Sequence, residues 1–102
     1  MPGEIPTEKF AARGNEPFWS VEVDGTVLVW KTPENQEGKI LPATRSAHAG
    51  GVEFSGKDDD KDFTLDINDK PCHDSMSGQA FEFTATWTYA GESHQGCAER
   101  GK

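Results

Sequence analysis

The sequence predicts an all-β domain, a small antiparallel β-barrel or sandwich of about 6–8 strands stapled by one disulfide. Three observations carry that expectation. Apolar residues recur at every second position in short segments, the period at which side chains share one face of a strand. Turn-forming residues return roughly every 8–12 positions between those segments. No stretch of ten or more residues carries the 3.6 period of a helix.

Length and charge set the frame. The chain has 102 residues, 33% of them hydrophobic, with 18 Asp and Glu against 10 Lys and Arg for a formal net charge of -8. One domain is expected at this size, with residues 1–9 as a flexible N-terminal tail and 10–102 as the β domain. Low hydrophobicity and net charge together raise the question of disorder. The aromatic residues answer it, because they fall inside the alternating segments instead of scattering. The acidic balance excludes an electrostatic nucleic-acid binder, whose affinity rests on clustered Lys and Arg. No apolar run approaches the ~20 residues of a membrane helix. The opening MPGEIPTEKF lacks the apolar stretch of a signal peptide, so any export signal is expected to have been removed.

In chain order, Phe10 to Arg13 reads as a short first strand, followed by a turn in Gly14-Asn15-Glu16-Pro17. Asp24-Gly25 stands between two β-branched runs and predicts a hairpin. A two-residue loop there would pair Val23 with Thr26, Val21 with Leu28 and Trp19 with Trp30, all on one core-facing wall. Residues 31–38, KTPENQEG, read as loop. Lys39 to His48 reads as a strand interrupted by Pro42, which suits an edge or a bulge. Val52-Glu53-Phe54 and Phe63 to Ile67 are strands on either side of an acidic turn, SGKDDDK. Asn68 to Gly78 is a long loop in which Asp74 or Ser75 could cap a helical turn. Phe81 to Tyr89 alternates strictly, and Ala90-Gly91 turns it into a last strand ending near Cys97.

Cys72 and Cys97 are 25 positions apart, and a disulfide between them would stabilise a small core by roughly 3 kcal/mol by chain-entropy arithmetic. Two free thiols are the alternative. The spacing excludes a CxxC redox pair, and two cysteines with scattered histidines supply too few ligands for a structural zinc. A bridge would imply an oxidising compartment.

Few residues point to chemistry. His73 follows Cys72 and His94 precedes Cys97 by three positions, so a bridge would gather the two imidazoles; copper or zinc capture, with Asp74 or Met76 assisting, is an alternative to a purely structural role. Asp58, Asp60 and Asp62 match the first three ligand positions of a calcium loop, but Phe63 stands where that loop needs Gly, so a solvated acidic hairpin tip is expected. Trp19, Trp30 and Trp87 are expected in the core, where a ligand-binding barrel would also place its wall. No nucleophile–base pair is legible, and no cofactor or catalytic residue is implied.

Two blocks resemble a known family. FAARGNEPFWSVEV (Phe10 to Val23) is similar to the Gly-Asn-Glu-Pro-Phe-Trp block of a small, uncharacterised bacterial periplasmic and lipoprotein family. CHDSMSGQAFEFTATWTYAGESHQGC (Cys72 to Cys97) resembles that family's second block, a Cys-x-Asp-x-Met-Ser-Gly stretch closed by Gly-Cys. Together they cover about 40 of 102 residues, and residues 24–71 carry no such match. The family is sometimes grouped with META and lysozyme-inhibitor-like envelope domains, whose own motifs this chain lacks. The resemblance implies an exported, often lipid-anchored domain and a Cys72–Cys97 bridge, although no lipobox cysteine stands at the N-terminus. It implies no active site.

These readings converge on a periplasmic or extracellular domain, monomeric and non-catalytic, acting by binding or by supporting the envelope. Its partner would be a protein or small ligand of the envelope. The candidate surface is Gly14, Asn15, Glu16 and Pro17 beside Asp74, Met76 and Ser77 of the Cys72–Gly78 loop, since loops on rigid sheets are where binding concentrates. An alternative is an inhibitor of a cationic envelope enzyme such as lysozyme, toward which the negative charge would steer.

Overall fold

Each alternating segment folds as a strand with its apolar side turned inward. The computed structural model describes residues 9–15, 18–73 and 78–100. Their strands are β1 (Lys9–Asn15), β2 (Phe18–Asp24), β3 (Val27–Thr32), β4 (Asn35–Pro42), β5 (Thr44–His48), β6 (Gly51–Asp58), β7 (Lys61–Asn68), β8 (Cys72–His73), β9 (Ala80–Phe81), β10 (Phe83–Tyr89) and β11 (Glu92–Arg100). No helix occurs among the described residues. Nine strands form one antiparallel sheet in the order β4-β3-β2-β1-β11-β10-β7-β6-β5, and β8 pairs separately with β9.

Two connections shape the sheet. β1 lies between β2 and β11, with Phe10 opposite both Val23 and Arg100, so the described ends of the chain are zipped together. β4 and β5 are the two outer edges of the sheet, yet only Ala43 separates them in sequence. One intervening residue spans at most about 7 Å between its neighbours. The edges therefore meet at Ala43, and the sheet curls on itself. There the Ala43 amide donates to the Thr26 carbonyl at 2.8 Å.

The inside of the curl is the core. Phe10, Ala12, Trp19, Val21, Val23, Leu28, Leu41, Val52, Phe54, Phe63, Leu65, Ile67, Ala85, Trp87 and Ala98 are all buried there. Burial of each Val, Leu, Ile or Phe contributes about 1.5–3 kcal/mol. β5 supplies none of these fully buried residues.

The structure departs from the sequence reading in strand count and register. Nine strands, not six to eight, make the main sheet. The KTPENQEG segment is a tight hairpin: β3 runs on to Thr32, β4 starts at Asn35, and the Asn35 amide donates to the Thr32 hydroxyl at 3.2 Å. Likewise the acidic turn shrinks to Asp59-Asp60, with β6 and β7 paired out to Asp58 and Lys61. Ladder hydrogen bonds belong to the backbone, so pairing continues past the last apolar residue until turn geometry stops it.

The first hairpin also slips. Asp24 pairs with Val27, Val23 with Leu28 and Val21 with Trp30, which leaves Gly25-Thr26 as the loop. Gly25 has φ 67, the positive value that the first central position of a type II′ turn requires. Relative to the expected pairs the partner strand moves by two residues. An even slip keeps every side chain on its face, so Trp19, Val21, Val23, Leu28 and Trp30 still share one wall, and Thr26 leaves it for the tip.

Candidate functional site

The two cysteines build one corner of the molecule. Cys72 lies opposite Phe81 in the β8–β9 pair and is bridged to Cys97 of β11 with the α-carbons 5.5 Å apart. The Thr84 hydroxyl donates to the Lys70 carbonyl at 3.1 Å and ties down the start of the same loop. The Arg13 guanidinium lies 5.1 Å over the Phe81 ring. β11 approaches β1 closely here, because a β-carbon on Gly96 would meet the Arg13 carbonyl oxygen at 2.0 Å.

The predicted binding surface is seen only in part. Gly14 is buried, with the Trp19 indole packed where a side chain would be. Asn15 pairs with Phe18 through β1 and β2. Glu16, Pro17, Asp74, Met76 and Ser77 lie outside the described residues, as does the helical turn expected at Asp74 or Ser75. His94 stands opposite core-facing Trp87, whereas Cys97, three positions on, points to the other side of β11. Among the described residues no three His, Cys, Asp or Glu side chains are grouped to hold a metal ion.

One end of the curled sheet carries an ion cluster. Lys39 of β4 is paired with the Asp58 carboxylate of β6, and the Tyr89 hydroxyl of β10 donates to the same carboxylate at 2.5 Å. Asp58 is therefore not simply part of a solvated tip, unlike its neighbours in the acidic run. The bond from Lys39, then that from Tyr89, holds the Asp58 pKa below the usual carboxylate value. The same carboxylate raises Lys39 and Tyr89 above their ordinary values. Below the cluster Tyr89 packs on Trp30 at 4.5 Å between ring centroids, and Trp30 on Trp87 at 5.5 Å. Charge and aromatic stacking here fasten β4 to the far side of the sheet.

The other end has a different chemistry. A pocket of about 150 Å³ lies among Phe10 of β1, Val52 of β6, Ile67 of β7 and Phe83 of β10, with Arg45 of β5 and Arg100 of β11 at its side. Phe10 and Phe83 meet edge to face with centroids 5.7 Å apart and form its apolar floor. Register puts both arginines on the inner side of their strands: Arg45 is half-buried opposite buried Phe54, and Arg100 is exposed at the end of β11 opposite buried Phe10. The Arg100 guanidinium lies 5.7 Å over the Phe83 ring. Neither arginine was legible as a site residue, because TRSAH and ESHQGCAER show no alternation that reveals which face is inside.

Fold and site together define an all-β domain with a curled sheet, a bridged corner and an arginine-flanked pocket at one end. Comparison with protein-family models, curated proteins and solved structures finds no match to this chain.

Proposed function

We propose that this chain is a non-catalytic binding or support domain of an oxidising compartment, the periplasm or cell exterior. The observation that carries the reading is the Cys72–Cys97 bridge. It pins Cys72 of β8 against β11, and bridges persist where thiols are not kept reduced. No helix among the described residues is long and apolar enough to cross a membrane, which is compatible with that reading. We read the curl as a barrel closed through Pro42 and Ala43, with Lys39–Asp58 as its fastening. The partner surface is the β1–β2 turn with the bridged loop. Both connect paired strands, and loops on rigid sheets are where recognition concentrates.

The test immobilises the native chain and its reduced, alkylated form and exposes both to an envelope extract. Retention of a protein or small ligand by the native form alone is expected. Equal retention by both forms, or recovery of the chain from cells with two alkylatable thiols, overturns the reading. If the retained protein is a basic hydrolase, assays at low and high salt show whether the acidic chain inhibits it through charge.

A further inference from the structure

We propose that Tyr89 is a redox-active residue. When a one-electron oxidant takes an electron from Trp30 or Trp87, the hole passes to the Tyr89 phenol, whose proton goes to Asp58. The relay is separate from the partner surface above, since Tyr89 and Thr84, the residue opposite Cys97, lie toward opposite ends of β10.

Three aromatic rings make the path. Trp87 is fully buried, while Trp30 and Tyr89 are half-buried. Ring centroids are 5.5 Å apart for Trp87 and Trp30, 4.5 Å for Trp30 and Tyr89, and 6.2 Å for Trp87 and Tyr89. These are the separations of paired aromatic rings, so an electron crosses from ring to ring directly. Tyr89 is the sole tyrosine of the chain, and both cysteines are bridged, so no free thiol competes for the hole.

Proton acceptors set the direction. Trp30 Nε1 and Trp87 Nε1 are buried without a hydrogen-bond partner among the described residues. An indole that loses an electron there keeps its proton and remains a cation, and an unpaired charge in apolar surroundings is costly. The Tyr89 hydroxyl, in contrast, donates to the Asp58 carboxylate at 2.5 Å. A base within reach of its proton lets the phenol lose electron and proton together and become a neutral radical. The Lys39–Asp58 ion pair already fastens β4 to β6. The phenol on the same carboxylate supplies what that pair does not, a proton beside an ionised base.

Electrons and protons balance. The oxidant gains one electron, the indole is restored by one electron from Tyr89, and the phenolic O–H bond breaks as its proton bonds to Asp58. Asp58, held below the usual carboxylate value first by Lys39, then releases that proton to water and pairs with Lys39 again. The hole ends on a half-buried side chain at one end of the sheet instead of in the core.

The experiment generates azide radicals, a one-electron oxidant, by pulse radiolysis of the native chain near neutral pH. It follows the absorption bands of the indolyl and phenoxyl radicals, which are distinct. The indolyl band should decay as the phenoxyl band grows, at one rate that does not change with protein concentration. Tyr89→Phe should keep the indolyl band and show no phenoxyl. Asp58→Asn, whose amide cannot take the proton, should slow the transfer by about a hundredfold, the lower worth of a positioned proton acceptor, with the native tryptophan emission retained. Heavy water should also slow the transfer in the parent, because the proton moves with the electron. Indolyl decay that depends on protein concentration, or phenoxyl growth without matching indolyl loss, overturns the proposal. Equal rates in the parent and Asp58→Asn would leave bare electron transfer and equally overturn it. If Asp58→Asn does not fold, an unchanged rate in heavy water does the same.

Discussion

Gly96 and Gly14 carry constraints that single atoms explain. A β-carbon on Gly96 would fall 2.0 Å from the Arg13 carbonyl oxygen, and one on Gly14 2.3 Å from the Trp19 indole nitrogen, whereas Gly50 has nothing within 4 Å. Overpacking of this kind costs about 1–3 kcal/mol. In urea unfolding followed by tryptophan fluorescence, Gly96→Ala should lose the most, because a ladder carbonyl cannot swing aside. Gly14→Ala should lose less, and Gly50→Ala should stay within about 0.5 kcal/mol of the parent. Equal losses at all three sites would refute the packing account. The Lys39–Asp58–Tyr89 cluster makes a second prediction, about pH. Asp58 is held below its ordinary value of 3.8, so its contribution is present above that value and is lost as pH falls through the lower, folded one. Lys39 and Tyr89 are raised above 10.5 and 10.0, so theirs are present below those values and are lost as pH rises through the higher ones. The stability gap between the parent and Lys39→Met should thus be widest between about pH 4 and pH 10 and close on acidification. A gap that does not change with pH would show that the lysine acts through packing alone.

Hairpins and the bridge set the next scale. The β10–β11 turn places Ala90 at φ 53 and Gly91 at φ 87, the left-handed pair of a type I′ turn with an alanine where asparagine is favoured. Ala90→Asn should stabilise by about 0.5–1 kcal/mol, read as a rise in the urea midpoint at constant slope. The Cys72–Cys97 bridge closes a 25-residue separation, for which chain entropy gives about 3 kcal/mol. Cys72→Ser with Cys97→Ser should therefore lower the melting temperature by roughly 15 °C. A loss under a few degrees would mean that the loop is held by the Thr84–Lys70 bond and the β8–β9 pair instead. Strands with a buried side, such as Phe63 to Ile67, were legible because water on one face and core on the other write a two-residue period into the sequence. Asn35 to Lys39 was not, since at a hairpin tip the ladder persists without apolar side chains to announce it.

At the scale of the whole molecule, joining the two halves of the sheet depends on the last strand made. β11 is the partner of both β1 and β10, so ending the chain at Ala90 leaves β1 unpaired on one side and opens the core beside Phe10 and Ala12. Such a fragment should show no cooperative urea transition and solvent-exposed tryptophan emission; a cooperative one would place the folding unit in the hairpins. Hydrophobic alternation, turn residues and two cysteines were enough to define an all-β class, most strand positions and a bridge consistent with the one observed. Those features are local: side chains of one strand face repeat every two residues, and a turn needs its own φ angles. Strand order, the meeting of β4 and β5 at Ala43, the placement of His94 away from Cys97 and the convergence of Arg45 with Arg100 are not local. They arise from which strands pair and with what register, and for a polar strand such as β5 no hydrophobic pattern declares which face is inside. Pairing alone turns two ordinary arginines, 55 positions apart, into the two sides of one pocket.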